Sequence, residues 1–555
     1  MRATWSVRSS RWTVESPAGD PAPPLVTEPV VSEQRNLWEL VEARAAATPG
    51  AVLAVDEQQR QLTAQDLHDR AEVTAAGLRR LGVETEAPVS WMLPTWLDAA
   101  VLVAALARLG AVQNPILPML GPRETRFITT QTQARMLIVP GLWRGRDYAD
   151  EAQELTLDRP ELQVVVVDTD HPLPAGDPAT LPPPPPPTTP DEAPVRWVFY
   201  TSGTTADPKG ARHTDHTVKA SADGMLAALD IQPDDCAGIV FPFTHIGGIT
   251  WLFTMLITGC TCVFIEAFAP PTTIPILQRE GTTLAGAGTT FHLAYLAAQR
   301  DRPDVPLFPV VRAFPGGAAP KPPQLHYEMK TELGGVGIVS GYGLTEAPIL
   351  TMNTVHGTDE QLAETEGPPT PGVELRIVKL DGTPAGPGEE GEIRARGPQV
   401  FRGYLDRSLD ADAFDADGWV RTGDLGVLRS DRHVRITGRV KDVIIRKGET
   451  ISAKEVEDLL FTHPRIADAA VIGLPDPRVG ERTCAVIVGA PGVDPPTLVE
   501  IFDFLTGEGL TVQKVPEQLE VVETLPRNAS GKVLKQDLRA DYGEPGPHRS
   551  ADPAG

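Results

Sequence analysis

The sequence is poor in cysteine, in aromatic residues and in positive charge. Its 555 residues include 4 cysteines and 6% aromatic residues, and the formal net charge is −24. Four cysteines without a C-x-x-C pair are too few for a disulfide framework and argue against a structural zinc site. The acidic balance argues against nucleic acid, or an anionic membrane surface, as the main partner. We therefore expect a reducing, cytoplasmic environment.

We also expect no secretory signal, since the first residues lack an apolar core. Residues 2–14 carry three arginines and no acidic residue, a faint likeness to a transit peptide. The tryptophans Trp5 and Trp12 and the prolines that follow are more typical of an irregular arm. We predict such an arm over residues 1–35.

One uncharged stretch is long enough to cross a bilayer. Residues 236–265 contain no Asp, Glu, Lys or Arg. Pro242, His245 and the pair Gly247-Gly248 interrupt it. We predict a strand and turn, a buried helix near residues 249–257 and a strand at 261–265, and no membrane span.

Apolar runs elsewhere predict an α/β fold. Residues 136–139 and 164–167 are continuous apolar runs, as buried parallel strands require. Residues 61–81 have a helical pattern, with Thr63 as N-cap and Asp66 three residues later. The proline run 182–187 must be extended and exposed. The strands and helices together predict a large N-terminal domain of layered α/β subdomains.

The composition changes near residue 380 and again after Gly438. Residues 381–391 are rich in Gly and Pro, and 397–423 alternate turns with short strands, which predicts a small β-rich subdomain. After Gly438 come a strand at 443–445 and a helix opened by the capping box from Ser452 to Glu455. These predict a small α+β C-terminal domain. The polar tail at 543–555 is expected to be disordered.

Four polar segments carry candidate chemistry. The first, residues 200–210, is a loop of four hydroxyls, glycine and one lysine after an apolar strand, which suits an anion but also suits a polar surface turn. In the second, Thr345 can bind a phosphate oxygen and Glu346 a Mg²⁺ ion, although a plain turn fits as well. In the third segment, Asp424 can bind two sugar hydroxyls or simply cap a turn. In the fourth, Lys532 lies on a tight loop, and taken by itself this segment is typical of an ordinary exposed loop.

In this order, the four segments resemble the adenylate-forming superfamily of acyl- and aryl-CoA synthetases, firefly-type luciferases and peptide-synthetase adenylation domains. The resemblance covers about residues 36–540 and includes Gly438-Arg439-Val440-Lys441-Asp442 between the third and fourth segments. Residues 444–460 look most like bacterial synthetases of the cyclohexanecarboxylate-CoA ligase type. The resemblance implies an AMP-binding domain over 36–439 and a mobile C-terminal lid over 440–542.

The resemblance also implies roles for individual residues. Lys532, Thr345, Glu346 and His245 would be catalytic, and Glu346 would also hold the metal. The remaining assignments are ATP binding by Thr201, Ser202, Gly203, Thr204, Thr205, Lys209, Gly317, Ala318, Ala319, Tyr342, Gly343, Asp424 and Arg439, the hinge at Lys441, and the CoA channel at Gly448. From the residues alone, Gly448 also fits a turn and His245 a buried core histidine.

Two segments, 241–248 and 285–291, would build the acyl pocket by the same resemblance. Neither contains Lys, Arg, Asp or Glu, which argues against an amino-acid substrate. The expected activity is an acyl-CoA ligase for a medium-chain, alicyclic or aromatic acid, with ATP, Mg²⁺ and CoA. A stand-alone enzyme loading a carrier protein and a non-catalytic nucleotide-binding protein remain alternatives. The sequence leaves the exact acid and the oligomeric state, including a homo-oligomer, open.

Overall fold

The structure is a computed structural model that describes residues 36–201, 208–317, 321–447, 449–527 and 532–543. Several predictions fall outside these ranges: the N-terminal arm 1–35, the tail beyond Gly543, and the site residues Ser202, Gly203, Thr204, Thr205, Ala318, Ala319 and Gly448.

Fifteen α-helices lie in the described ranges. They are α1 Leu37–Ala47, α2 Ala64–Arg80, α3 Leu97–Leu109, α4 Pro122–Gln131, α5 Tyr148–Asp158, α6 Asp215–Leu229, α7 Ile246–Thr258, α8 Pro270–Arg279, α9 Thr289–Arg300, α10 Pro323–Leu333, α11 Asp359–Glu364, α12 Asp410–Ala413, α13 Ala453–Leu460, α14 Leu498–Gly507 and α15 Lys535–Gly543.

The same ranges contain twenty-four strands. They are β1 Val52–Asp56, β2 Gln61–Thr63, β3 Pro88–Trp91, β4 Val112–Pro115, β5 Met136–Pro140, β6 Leu142–Trp143, β7 Arg146–Asp147, β8 Gln163–Val167, β9 Trp197–Thr201, β10 Lys209–His213, β11 Cys236–Ile239, β12 Thr261–Phe264, β13 Phe314–Gly316, β14 Ile338–Leu344, β15 Ala347–Met352, β16 Glu374–Val378, β17 Glu390–Arg396, β18 Val420–Leu428, β19 Val434–Arg439, β20 Val443–Arg446, β21 Glu449–Ser452, β22 Ile466–Asp476, β23 Gly480–Gly489 and β24 Gln518–Val522.

Two sheets form the centre of the large N-terminal part. One has the order β10-β9-β4-β3-β5-β8, and its strands are parallel except for the antiparallel pair β9–β10. The other runs β2-β1-β12-β11. Parallel bridges from Ala237 to Leu284 and from Leu284 to Ala313 continue it toward the sheet β13-β14-β15. Helices cover these sheets, as the apolar runs predict.

The uncharged stretch 236–265 lies inside this core as β11, α7 and β12. Helix α7 is buried along almost its whole length, and its last carbonyls, those of Leu256 and Ile257, accept hydrogen bonds from the buried guanidinium of Arg44. No helix in the described part of the chain combines the length and apolar character needed to cross a membrane. Helix α7 begins at Ile246, three residues before the start predicted from the sequence.

Local signals placed some boundaries correctly and others wrongly. The Thr63–Asp66 capping box is present and α2 begins at Ala64. The predicted helical start at residue 61 is wrong, because Gln61–Thr63 is strand β2, paired antiparallel with β1. Ser452 caps α13 by accepting a hydrogen bond from the Glu455 amide.

A small antiparallel sheet, β16-β17-β18-β19, follows the two large sheets. Its buried face includes Ile377, Ile393, Ala395 and Val434. The C-terminal part has its own sheet, β21-β20-β23-β22, with β24 added in parallel to β23. A separate apolar core under α13 and α14 stabilises this sheet. The chain is thus a mixed α/β protein with a large N-terminal and a small C-terminal part.

Candidate functional site

The site begins at one edge of the second large sheet. Strands β11, β13 and β14 and the bridging residue Leu284 run parallel to one another. The segments 241–248, 285–291, 316–317 and the end of β14 follow them directly. The carboxyl ends of parallel strands meet at a common edge, where ligands of α/β proteins bind. This topology brings the predicted acyl segments next to the predicted adenine and phosphate segments.

Close backbone packing joins two of these segments. The amide of Ala287 donates to the carbonyl of Pro315 over 3.0 Å. A β-carbon added to Gly317 would lie 3.0 Å from the carbonyl oxygen of Gly341. Gly317 therefore packs so closely against β14 that a side chain at this position would press on the Gly341 carbonyl.

A carboxylate-centred cluster lies beside β14. The Tyr342 hydroxyl donates to Oδ2 of Asp424 over 2.8 Å, and Nε of Arg439 pairs with Oδ1 over 2.8 Å. Asp424 is only 4% exposed. Burial, with the charge of Asp424 adding to it, raises the pKa of Tyr342 well above its usual value, so the phenol stays protonated. Both donors fix the carboxylate in one orientation.

A β-bulge presents Asp424. Residues 422–424 of strand β18 lie opposite the single residue Ile393 of β17 before pairing resumes at Leu425. Gly423 in this bulge has φ 71°, a left-handed conformation that favours glycine. The Thr422 hydroxyl donates to the Ile393 carbonyl over 2.7 Å and accepts from the Asp424 amide over 3.1 Å. The Thr-Gly-Asp segment is therefore shaped to project one carboxylate.

Thr345 and Glu346 form the two-residue turn between β14 and β15. The Thr345 carbonyl accepts from Nε2 of His213 over 2.8 Å. Burial lowers the pKa of His213 to about 4, so this ring is neutral and its donor stays fixed. Gly343 lies in the irregular part of the same hairpin, where the register shifts between Tyr342 and Leu344.

Glu346 is held from a distant part of the chain. The Tyr404 hydroxyl donates to Oε1 of Glu346 over 2.6 Å. The Lys209 ammonium lies 5.3 Å from the centre of the Tyr404 ring. Tyr404 thus links the predicted metal ligand to the predicted phosphate lysine. Thr201, at the end of β9, pairs directly with Lys209 on β10, so both flank residues 202–207.

A magnesium ion fits this donor set. Among the described residues, no three His, Cys, Asp or Glu side chains converge into a metal cage. Magnesium in phosphoryl-transfer sites needs only one or two protein carboxylates, because substrate phosphates and water supply the other oxygens. The half-exposed Glu346, with one oxygen held by Tyr404, is such a carboxylate.

Lys532 comes from the small C-terminal part and lies at the Asp424 cluster of the large part. Its pKa is lowered to about 8, mainly by burial and also by the charge of Arg439, whereas Asp424 and Asp442 oppose this shift. Lys532 is therefore close enough to Arg439 and Asp424 for their charges to act on its ammonium. The C-terminal lysine and the nucleotide-binding candidates are therefore together in this structure.

The chain around Lys532 is anchored on both sides. Arg527 and Val533 form an antiparallel bridge, and the Leu534 amide donates to the Pro526 carbonyl over 2.8 Å. Lys535 pairs with Glu457 over 2.7 Å. These contacts fix the backbone on both sides of Lys532 and so limit the directions in which its side chain can point.

His245 caps the first turn of α7. Its Nδ1 accepts from the Gly247 amide over 3.0 Å, and its ring meets Phe241 edge-on at 6.4 Å. Burial lowers the pKa of His245 to about 4, so the ring is neutral. Because Nδ1 accepts, the proton lies on Nε2, which makes Nε2–H a hydrogen-bond donor. Within the described ranges, no hydrogen bond or ion pair connects this ring to Asp424.

The predicted hinge lies between β19 and β20. Lys441 is exposed and belongs to a 3₁₀ turn over Val440–Asp442. Arg539 of α15 pairs with Asp442 over 3.1 Å. Arg446, just before the predicted CoA channel, pairs with Glu517 over 2.7 Å.

Three supporting residues have no signal in the sequence. Two are Tyr404 and His213, which hold the turn at Thr345 and Glu346. The third is Lys321, whose buried ammonium donates to the carbonyls of Leu362 and Ala363 at the end of α11. It follows the predicted adenine segment directly in the sequence. Lys321 is easily seen in the sequence after Ala-Ala-Pro, but no nearby residue indicates that it binds carbonyls about 40 positions later.

Known proteins match over nearly the whole chain. A medium-chain fatty-acid–CoA ligase of Escherichia coli is 30% identical over 92% of this chain and 92% of its own. A salicyl-AMP ligase / salicyl-S-ArCP synthetase of Mycobacterium tuberculosis is 33% identical over 92% of this chain and 91% of its own.

Solved structures agree in fold. ATP-bound MatB from Rhodopseudomonas palustris is 25% identical, with a TM-score of 0.83 over 92% of this chain and 99% of its own. The o-succinylbenzoate coenzyme A synthetase of Bacillus subtilis, in complex with ATP and magnesium ion, is 26% identical, with a TM-score of 0.78 over 91% of this chain and 99% of its own.

Family comparison covers both parts of the molecule. Residues 41–405 match the AMP-binding enzyme family, and residues 455–532 match the AMP-binding enzyme C-terminal domain. The chain therefore belongs to the AMP-binding enzymes, the adenylate-forming superfamily that its four polar segments resemble.

Proposed function

We propose that this enzyme is an AMP-forming acid–thiol ligase that converts a hydrophobic carboxylic acid to an acyl-adenylate and then to its CoA thioester. ATP, Mg²⁺ and CoA take part in this reaction. The observation that carries the proposal is the position of Lys532, a cation from the C-terminal part beside the Asp424 cluster of the large part. A lysine there can act on the nucleotide that Asp424 would hold.

The first step needs a cation between two anions. A carboxylate is a poor acyl donor, because its leaving group would be oxide. A carboxylate oxygen instead attacks the α-phosphorus of ATP, a new P–O bond forms, and pyrophosphate leaves with the electrons of the broken P–O bond. Negative charge is then shared between the acid oxygen and the α-phosphate. We assign Lys532 to stabilise that charge, because a fixed cation in a partly dry site is effective.

We assign the nucleotide to the edge of β14. Asp424 would accept the ribose hydroxyls, and Arg439 keeps its carboxylate in place. The surface at Gly317 would take the adenine, with the ring of Tyr342 against it. Thr345, Lys209 and the hydroxyls of the 201–205 segment would bind the phosphates. Lys209 supplies the positive charge, and the hydroxyls supply hydrogen bonds.

Glu346 would hold the magnesium ion. Bound there, the ion would neutralise the pyrophosphate charge that develops as the leaving group departs. Tyr404 holds one carboxylate oxygen by its hydroxyl, and the other oxygen would bind the ion. This arrangement orients the carboxylate before a metal arrives.

The acid would bind between segments 241–248 and 285–291. Nε2–H of His245 would donate to its carboxylate, since the neutral ring with Nδ1 occupied has its donor on that side. The segments have no charged side chain, and Phe241 and Phe291 supply apolar surface. A medium-chain, alicyclic or aromatic acid fits this chemistry, which agrees with the fatty-acid and salicylate activities named for two relatives.

The second step needs a different arrangement. A thiol must reach the acyl carbon from which AMP leaves, and Lys532 in its adenylation position would obstruct that approach. We assign Lys441 as the hinge about which the small part turns, so that Gly448 comes to line the CoA channel. The four cysteines are all buried free thiols, which fits the cytoplasm as the place of action.

A carrier-protein acceptor is the second candidate. The Mycobacterium tuberculosis relative, whose name includes a salicyl-S-ArCP synthetase activity, is as similar as the CoA ligases. In that case the thiol would belong to a phosphopantetheine group on a partner protein. The chemistry of the first step would be the same.

A panel of carboxylic acids in a pyrophosphate-release assay tests the proposal. We expect turnover with hydrophobic acids, continued release only when CoA is added, and an acyl-CoA product. Turnover of amino acids in place of hydrophobic acids would contradict the assigned pocket. If CoA does not increase pyrophosphate release but a phosphopantetheinylated carrier protein does, the carrier protein replaces CoA as the proposed acceptor.

A further inference from the structure

A cavity of about 770 Å³ lies outside the site described above, on the small sheet of β16–β19. The loop between β16 and β17, the segment 415–417 and the turn at 428–430 surround it. Its volume falls within the range of sites for small molecules. The proposed reaction uses no residue that lines it.

Four arginines line its wall. Arg376, Arg394 and Arg421 lie directly opposite one another on β16, β17 and β18. Residues in such register point to the same face of the sheet, with β-carbons about 5 Å apart. Like charges so placed repel one another. A fourth arginine, Arg429, lines the cavity at the turn after β18.

The protein's own carboxylates lie close to most of these arginines. Asp415 pairs with Arg376 at 2.5 Å and with Arg394 at 3.0 Å, and Asp417 lies 3.4 Å from Arg376. Outside the lining, Glu392 pairs with Arg394 at 3.0 Å. Glu360 likewise pairs with Arg429, at 2.9 Å. In this part of the described chain, three of the four arginines thus have acidic partners.

Arg421 is the exception. Its side chain is exposed, and within the described ranges it has no hydrogen bond and no ion pair. The buried Nε of Arg376 also has no acceptor among the described residues. The Arg376 guanidinium is held 4.6 Å from the centre of the Trp419 ring, so it cannot easily turn elsewhere. Two arginines of the cavity wall therefore have donors that the described residues leave without an acceptor.

We propose that this cavity binds a phosphate group, either that of a free inorganic anion or that of a phosphorylated cofactor. Guanidinium groups pair with phosphate through two parallel hydrogen bonds, and a phosphate has oxygens for several donors at once. The Ser430 hydroxyl lines the same space and supplies another donor. In a chain of net charge −24, a row of arginines on one face is a local exception.

Hydrogen–deuterium exchange of the full chain tests the site directly. The probes are inorganic pyrophosphate, inorganic phosphate, CoA and CoA without its 3′-phosphate. The readout is protection of residues 379–389, an exposed loop at the cavity and away from Asp424. We expect pyrophosphate to slow exchange there, and Arg421→Gln to raise the half-saturating concentration about tenfold or more.

Arg302→Gln is the matched control, since Arg302 is an exposed arginine outside the cavity. It should leave the protection unchanged. Protection by CoA that is lost without the 3′-phosphate would identify the cofactor as the source, and protection by pyrophosphate alone would identify the free anion. Absence of protection by every probe at millimolar concentration, or equal protection in Arg421→Gln, would overturn the site. Pyrophosphate release from ATP is measured separately, so either proposal can fail alone.

Discussion

At the scale of the residue, the protonation of Lys532 limits its assigned role. An ammonium that loses water contacts and faces Arg439 gives up its proton more readily, and the pKa of Lys532 is lowered to about 8. The lysine stabilises an anion only while it is charged. The phosphates of ATP would favour the charged form once nucleotide is bound.

The pH dependence of adenylation follows from this. We expect kcat/KM for ATP in pyrophosphate release to fall as pH rises through about 8, because the free enzyme loses the cation. The alkaline fall in kcat should occur at higher pH, because bound ATP keeps Lys532 protonated. Lys532→Arg keeps its charge at all these pH values, so its weaker activity should lack the alkaline limb. An unchanged alkaline limb in that variant would assign the titration to another group.

Tyr404 gives a second residue-scale prediction. Tyr404→Phe removes the hydroxyl that orients Glu346 and leaves the ring beside Lys209. We expect the magnesium concentration for half-maximal activity to rise about tenfold, because partners of metal-binding carboxylates have effects of that size. The KM for the acid should stay constant, and a change in that constant instead would contradict the assignment of Glu346.

At the scale of the element, the bulge in β18 decides where Asp424 points. Gly423→Ala puts a β-carbon on a residue with φ 71°, which costs about 1–2 kcal/mol. The bulge should relax and move Asp424, so we expect a weaker apparent affinity for ATP. Isothermal titration calorimetry with ATP measures it.

Gly418→Ala is the control for that variant. Gly418 has φ 80°, and a β-carbon added at Gly418 or at Gly423 would meet no other atom within 4 Å. Both substitutions should lower stability by similar amounts, whereas only Gly423→Ala should weaken ATP binding. Equal loss of ATP affinity in both would show that the bulge has no special role.

Local elements are predictable where the signal is local. Thr63 and Asp66 are three residues apart, and the N-cap of α2 is where they place it. The residues just before it pair with β1, a tertiary contact that the pattern at 61–63 does not reveal. The site follows the same rule. Tyr342, Thr345 and Glu346 share one hairpin and one sequence motif, whereas Tyr404 lies 58 residues from Glu346 and carries no such signal.

At the scale of the whole molecule, the two parts meet through the Asp424–Arg439 pair and Lys532. The Ser452 hydroxyl adds a contact to the Thr437 carbonyl near the hinge. The composition predicts a small domain after residue 440. This domain has a separate apolar core, so the sequence of the domain alone contains the pattern that specifies its fold. The contact between the parts depends on the turn at 440–442, whose geometry no composition predicts.

Val440→Pro tests that turn. The preceding residue, Arg439, has φ −126° and ψ 142°, the conformation that a residue before proline prefers. Proline should therefore fix the present arrangement without strain. We expect adenylation to persist and thioester formation to fall about tenfold or more, because the second step needs rotation. Lys441→Ala leaves the turn free and should retain both steps. Full thioester formation in Val440→Pro would contradict the hinge.

Pyrophosphate exchange by Lys532→Ala is the most direct measurement. Exchange reports only the reversible formation of acyl-adenylate, and the substitution removes the side chain whose ammonium interacts with the charges of Asp424 and Arg439. We expect exchange to fall by about 10²-fold or more while the melting temperature stays that of the wild type. Exchange at the wild-type rate would contradict the assignment of this lysine to the first step.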